Sequence, residues 1–305
     1  MASKRVANPL CPACPEGVGI VIKYGFFPRL TGHRPRIQRY YCKYCKSAFS
    51  SQTGSLTYRE RKPHLTQAVM RHLMEAASQH GCTRLLGCSP ITVARKMVRL
   101  GKRAAMHLKS RPCIGSEIGQ EKVVLFDEME TFQHTKCKPI SIALAVAAST
   151  REVVAVSASE MPATGSLSRI SRERYGPRKD GRIEGMRTVM SEIARLCQKV
   201  ELVKSDMCPR YPKIVQELLP KSVVHEVHRG RQGCVTGQGE LKRGVRDPLF
   251  TLNHTCAMFR DRIKRLARRT WCTTKRIDRL DNLLNIYAWW HNNLVKKVAR
   301  PFYME

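Results

Sequence analysis

The chain has 305 residues, with 55 lysines and arginines against 24 aspartates and glutamates, a formal net charge of +31. Hydrophobic residues make up 42%, a globular rather than a disordered composition, and the length suits about two domains with cores of their own. No apolar run approaches the roughly 20 residues of a membrane span, and the opening MASKRVANPL lacks the apolar centre of a secretory signal, so membrane-spanning and secreted disulfide classes are excluded and a reduced intracellular protein is expected.

The charge is uneven: residues 1–115 carry +18 and the remaining 190 carry +13. An excess of this size marks a partner that is a polyanion, most often nucleic acid. By itself it separates neither DNA from RNA nor a binder from an enzyme.

The first elements surround four cysteines. Cys11-Pro-Ala-Cys14 and Cys42-Lys-Tyr-Cys45 are two CxxC knuckles, which can set four thiolates around one zinc ion. Between them, residues 21–25 and 37–41 read as strands leading into the second knuckle. The pattern predicts a zinc ribbon over residues 1–58, with an iron site or disulfides as the alternatives. Arg29, Arg34, Arg36, Arg39, Lys43 and Lys46 would let it touch phosphate. The other nine cysteines show no ligand spacing and are read as small buried side chains.

A helix is predicted over 63–79, from Leu65, Val69, Leu73 and Ala76. A short helix over Cys82–Leu86, a Gly87-Cys88-Ser89-Pro90 turn and a longer helix from Pro90 to about Leu108 follow. Ser89 suits the N-cap and Pro90 the first helical position. Val93, Met97 and Leu100 make an apolar face; Thr92, Arg95, Lys96, Arg99 and Arg103 make a basic one. A short helix, a tight turn and a basic amphipathic helix form the helix-turn-helix arrangement, whose second helix reads the DNA major groove; the bland alternative is a surface helix with a solvated basic face. This all-α domain is placed at 59–115.

From residue 122 strands take over. Residues 122–126 end on Asp127-Glu128-Met129-Glu130; 139–148 and 152–158 complete an antiparallel meander. A helix over 183–198, a strand over 200–204 ending on Ser205-Asp206, a helix over 213–219 and a strand over 222–227 follow. This order is that of an α/β ribonuclease-H-like domain with a mixed five-stranded sheet, here over 120–305, and it would bring Asp127 beside Asp206 although 78 residues separate them. Two carboxylates held together repel unless a cation lies between them, and Mg²⁺ accepts one or two such ligands. A helix running from Asn253 to about Arg269 would add the Asn253 amide oxygen and, two turns on, Arg260 for a phosphate.

These stretches together resemble the DDE-type transposases of bacterial insertion sequences, closest to the insertion-sequence-one superfamily and its relatives. The resemblance rests on the paired cysteines, Leu125-Phe-Asp127-Glu-Met129, Ser205-Asp206 and the segment from Leu252 to Leu266. It implies a Mg²⁺- or Mn²⁺-dependent polynucleotidyl transferase that binds double-stranded element ends, cleaves them and joins the 3′-hydroxyls to target DNA. It also implies a homo-oligomer on DNA and a cytoplasmic, nucleoid-associated location. Asp127 and Asp206 match the family's first two acids; Asn253 falls where Glu is usual, with Arg260 as its basic partner. Asp247, Glu240 and Asp261 are the fallback third ligands. A non-catalytic DNA-binding regulator derived from a transposase, and a structure-specific nuclease, are the alternatives.

Residues 168–183 are read as a basic loop, and His225, His228 and Arg229 as the end of a strand. The five glycines between 230 and 244 lack a following Gly-Lys-Ser/Thr, so no nucleotide triphosphate is expected. A last helix is predicted over 275–293, with Trp289 and Trp290 packing rather than stacking on bases.

Overall fold

The computed structural model describes residues 9–14, 19–28, 36–55, 58, 60–229, 247–268 and 270–298, with backbone alone from 294 onward. The Gly230–Gly244 segment, Glu240, Arg29 and Arg34 lie outside the described residues. The chain divides into two compact units, Met1–Val69 and Met70–Glu305.

The first unit holds three antiparallel strands in the order β1 (Val21–Pro28), β2 (Arg36–Cys42), β3 (Ala48–Ser50). Its core is small. Cys11, Val21 and Cys42 are buried, with Cys14, Tyr40, Cys45 and Phe49 packed around them. Among the described residues this cluster is small, and a small apolar cluster is helped by a staple.

The boundary between the units falls within α1 (His64–Met74), so α2 (Gln79–Leu86) and α3 (Pro90–Lys109) belong to the larger unit. The turn between α2 and α3 follows the local chemistry read from the sequence. Gly87 adopts the left-handed conformation that ends α2, at φ 56°, and Ser89 Oγ accepts the Thr92 amide at 3.3 Å to cap α3.

The larger unit continues with β4 (Val123–Phe132), β5 (Pro139–Ala147), β6 (Val153–Glu160), α4 (Leu167–Tyr175), α5 (Arg182–Leu196), β7 (Leu202–Asp206), α6 (Tyr211–Leu218), β8 (Val224–His228), α7 (Phe250–Arg262) and α8 (Ile277–Val298). The sheet order is β6-β5-β4-β7-β8. β4, β5 and β6 form the antiparallel meander, and β7 and β8 run parallel to β4 and to each other. The expected mixed five-stranded sheet is therefore present. Two local expectations need correction. Residues 167–175, read as part of a basic loop, are helical, and Ser171 on that helix is tied to the Cys137 carbonyl at 2.7 Å. β4 also runs on to Phe132 because its pairing with β5 extends to Phe132↔Pro139, so Asp127 lies inside a strand and not at its end.

Side-chain alternation assigns the two faces. Val124, Phe126 and Val203 join Met186, Val189, Met190 and Ile193 of α5 and Ile214 of α6 in one buried cluster. Leu125, Asp127 and Asp206 have the opposite parity and belong to the other face, the one α7 packs against. The β6 edge of the sheet is covered by α8. Asn292 Oδ1 accepts the Val153 amide at 2.8 Å and its Nδ2 donates to the Val153 carbonyl at 3.0 Å. Asp281 Oδ1 accepts the Ala158 amide at 3.0 Å, and burial pushes that carboxyl up to about 6. Unpaired edge groups invite association with other strands, and a covering helix prevents it.

α3 packs on α8, and the buried residues of α3 are Val93, Lys96, Met97, Leu100, Gly101, Ala104 and Leu108. The approach at Gly101 is close: a Cβ there would lie 2.6 Å from the Asn282 Cα. Gly101→Leu should therefore force the two helices apart and lower stability by about 1–3 kcal/mol in a denaturant titration, against an expectation of a gain from helix propensity alone. Among the described residues no helix is long and apolar enough to cross a membrane.

Candidate functional site

Parallel pairing of β4 with β7 matches Phe126 to Ser205, so Asp127 and Asp206 follow at the same level on neighbouring strands and on one face. Asp206 Oδ1 accepts the Cys208 amide at 3.1 Å, which tightens the turn after β7. Asp127 Oδ1 accepts its neighbour's amide, Glu128 N, at 2.6 Å, and the Tyr211 hydroxyl lies 3.4 Å away. Burial, and then the nearby Asp206 carboxylate, push the Asp127 carboxyl up to about 7. Two carboxylates held this close repel when both are charged, and the repulsion favours the protonated form of one of them.

α7 packs against β4 and β5. Its Cys256 is pushed up to about 12 by burial, with Asp127 adding to the shift and Arg260 opposing it, so both charges lie within reach of that thiol. Phe259 anchors the helix edge-on to Tyr287 of α8 at 4.5 Å. Asn253 is exposed in the first turn of α7, and Arg260 is half-buried toward its end. Asn253 Nδ2 donates to Asp247 Oδ2 at 2.9 Å, so two candidates for the third ligand are hydrogen-bonded to one another. Asp261, the other described fallback, is exposed and pairs with Arg262 at 3.3 Å.

The neighbouring acid, Glu128, was not singled out as a site residue. It has the parity of Phe126 and so lies on the opposite face from Asp127. Its side chain is 8% exposed, forms an ion pair with Arg210 at 2.9 Å, and accepts a hydrogen bond from the Ser141 hydroxyl. Tyr211, which lies edge-on to Phe126 at 4.8 Å, reaches both Asp127 and Glu128. These contacts tie the segment after β7 to β4, behind the two aspartates. The available signal was period two: an acid two residues beyond the buried Phe126 must meet a partner on the core face.

His225 Nε2 lies 2.8 Å from Ser205 Oγ and burial lowers its basicity, so this histidine is engaged within the sheet. Trp289 lies against His107 and Trp290 against Tyr287, in the packing role expected of them.

On α3, Arg95 is exposed and Arg99 and Arg103 are half-buried. Thr92 Oγ1 lies 2.9 Å from Ser89 Oγ, within the cap. Lys96 departs from the expected basic face: it is 6% exposed. The cause is helical spacing, since position 96 falls three residues after Val93 and four before Leu100, inside the buried stripe of the helix.

In the first unit the four predicted cysteines converge. The Sγ atoms of Cys11, Cys14, Cys42 and Cys45 all lie within 4.8 Å of one another. Cys11 and Cys45 are 3.6 Å apart and Cys14 and Cys42 are 3.8 Å apart. Zinc–sulfur bonds of about 2.3 Å at tetrahedral angles require sulfur separations of about 3.8 Å, so the residues fit the ion. The Cys45 thiol is pulled down to about 6 by hydrogen bonds from Ser47, while Cys14 is pushed up to about 12 by burial and its sister thiols. Among the described residues this is the group of three or more such ligands that can hold a metal ion.

No family model and no curated protein matches the chain. Among solved structures, a chain of the simian T-cell lymphotropic virus intasome in complex with PP2A regulatory subunit B56 gamma is similar over 72% of this chain, at 13% identity and a TM-score of 0.28. The chain spans 64% of the length of that relative. A likeness this slight carries no argument about function.

Proposed function

We propose that the chain is a DDE-type DNA transposase: a zinc ribbon within residues 1–58 and a helix-turn-helix within 59–115 bind element ends, and a ribonuclease-H-like domain within 120–305 cleaves and joins DNA. The observation that carries this reading is the alignment of Asp127 and Asp206 on paired parallel strands, with the Asp127 carboxyl raised to about 7 by burial and by its partner. The sheet order, with the meander first and two parallel strands added on its far side, supports the ribonuclease-H-like assignment.

Asp127 and Asp206 supply oxygen donors on one face, with the amide oxygen of Asn253 or a carboxylate oxygen of Asp247 as the third. Bound Mg²⁺ or Mn²⁺ would supply the positive charge that activates the attacking oxygen and stabilises the leaving one in an in-line phosphoryl transfer. Arg260 binds a phosphate beside the pair. Arg95, Arg99 and Arg103 face DNA from α3, with Thr92 at its start, whereas Lys96 acts through packing. Two element ends handled together call for a homo-oligomer.

The test is an end-cleavage and strand-transfer assay with Mg²⁺ or Mn²⁺, using the DNA that flanks the gene. Cleavage with joining supports the proposal. Binding without cleavage favours the DNA-binding regulator, for which the amide at position 253 is the supporting feature. Cleavage without joining favours a nuclease. Asn253→Ala should lose most activity, at least about tenfold, and Asn253→Glu should retain it. If Asp247→Ala is the inactive variant and Asn253→Ala is not, Asp247 is the third ligand.

A further inference from the structure

We propose that the cleft beside Trp271 is a binding site for one unstacked nucleotide of a single-stranded DNA segment, a site other than the Asp127–Asp206 pair. The tryptophan lies between α7 and α8 and is fully exposed, at 102%. A side chain of this size is normally buried over most of its surface, so a solvent-facing indole offers a ring face for stacking. It borders a cleft of about 270 Å³. One water's share of liquid volume is roughly 30 Å³, so the space admits a planar base.

The chemistry of the walls matches a nucleotide. Lys264, Arg265, Lys275 and His80 line the cleft, and no carboxylate is among its described lining residues. The floor includes Leu73 and Leu283, both buried and apolar. An aromatic face flanked by cations is the arrangement that holds single strands, because each base has a π-face whatever its identity. Bases inside a duplex have both faces covered already, so the occupant is a nucleotide out of the stack.

The experiment is the binding of a short fluorescent oligothymidylate to the full-length protein, followed by anisotropy at several salt concentrations without divalent metal. Trp271→Ala should raise Kd at least about fivefold, the lower end for loss of one base–aromatic stack, with no change in the salt dependence. Trp271→Tyr should restore binding. Lys264→Ala should reduce the slope of log K against log salt by about 0.7, the value for one phosphate contact on a single strand. An unchanged Kd for Trp271→Ala overturns the proposal. So does an equal loss on a blunt duplex of the same length, which would assign Trp271 to duplex binding. Because Trp271 is exposed, equal melting temperatures of variant and wild type check that the fold is intact. The assay requires neither metal nor cleavage, so its outcome is independent of whether Asp127 and Asp206 are catalytic.

Discussion

Asp127→Asn should stabilise the metal-free protein at pH 8 and at the same time remove DNA cleavage. The folded protein raises the Asp127 carboxyl from its ordinary value of 3.8 to about 7, mainly through burial and then through Asp206. Well below pH 4 the group is protonated both folded and unfolded and has no effect on stability. As pH rises from about 4 to 7 the unfolded chain gives up this proton while the folded chain retains it, and stability falls. Above pH 7 the full penalty is present, about 4 kcal/mol as an upper bound. Asparagine has no proton to lose, so its melting temperature should exceed that of the wild type by several degrees at pH 8 and converge with it near pH 4. Mg²⁺ should raise the melting temperature of the wild type and leave the variant unmoved, because a cation between two carboxylates relieves the same repulsion. Cleavage should fall by about 10³-fold or more, the loss expected when a metal that contributes several kcal/mol is no longer held; Asp206→Ala should match it in activity while leaving end binding intact. A variant that melts below the wild type at pH 8, or that cleaves at an undiminished rate, refutes the assignment.

Cys42→Ala should release the zinc and unfold the first unit. Cys42 is fully buried, in a small cluster with Cys11 and Val21. With so little apolar burial, the free energy of metal binding is in effect the folding free energy, of order 10–16 kcal/mol for structural zinc sites. Metal analysis should find one zinc per wild-type chain and none in the variant. Limited proteolysis should then remove residues up to about 60 while the fragment beginning near residue 70 persists, since the larger unit has its own core. End binding should be lost with the ribbon. Retained zinc stoichiometry, or a protease-resistant first unit without zinc, would sink the ribbon assignment. Treatment of the wild type with a strong chelator provides the same test without mutation.

The local features were legible because local chemistry decides them. The two CxxC spacings brought their four sulfurs within reach of one ion. Ser89 and Pro90 marked the start of α3 and Gly87 the end of α2, since capping depends on residues within one turn. The meander was readable from runs of buried residues, and the two aspartates from their places after such runs. Burial among distant elements was not legible. Lys96 carries a charge that reads as solvent-facing, yet it is buried on a helix that packs mainly on α8, whose segment begins about 180 residues later. Ser171 is fixed by a carbonyl on a different element, so a polar, basic segment that resembled a loop is held as a helix. Glu128 and Arg210 meet across the sheet, and Asn253 meets Asp247 through a helix start; in neither case does spacing along the chain define the partner. The sequence by itself determined the metal-binding knuckles, the caps and the alternation of the strands, because these depend on neighbours one to four residues away. Only the tertiary structure decided which charges are buried, how far the Asp127 carboxyl is raised and which tryptophan faces solvent, because desolvation and Coulomb forces act through space between residues that the chain order keeps far apart.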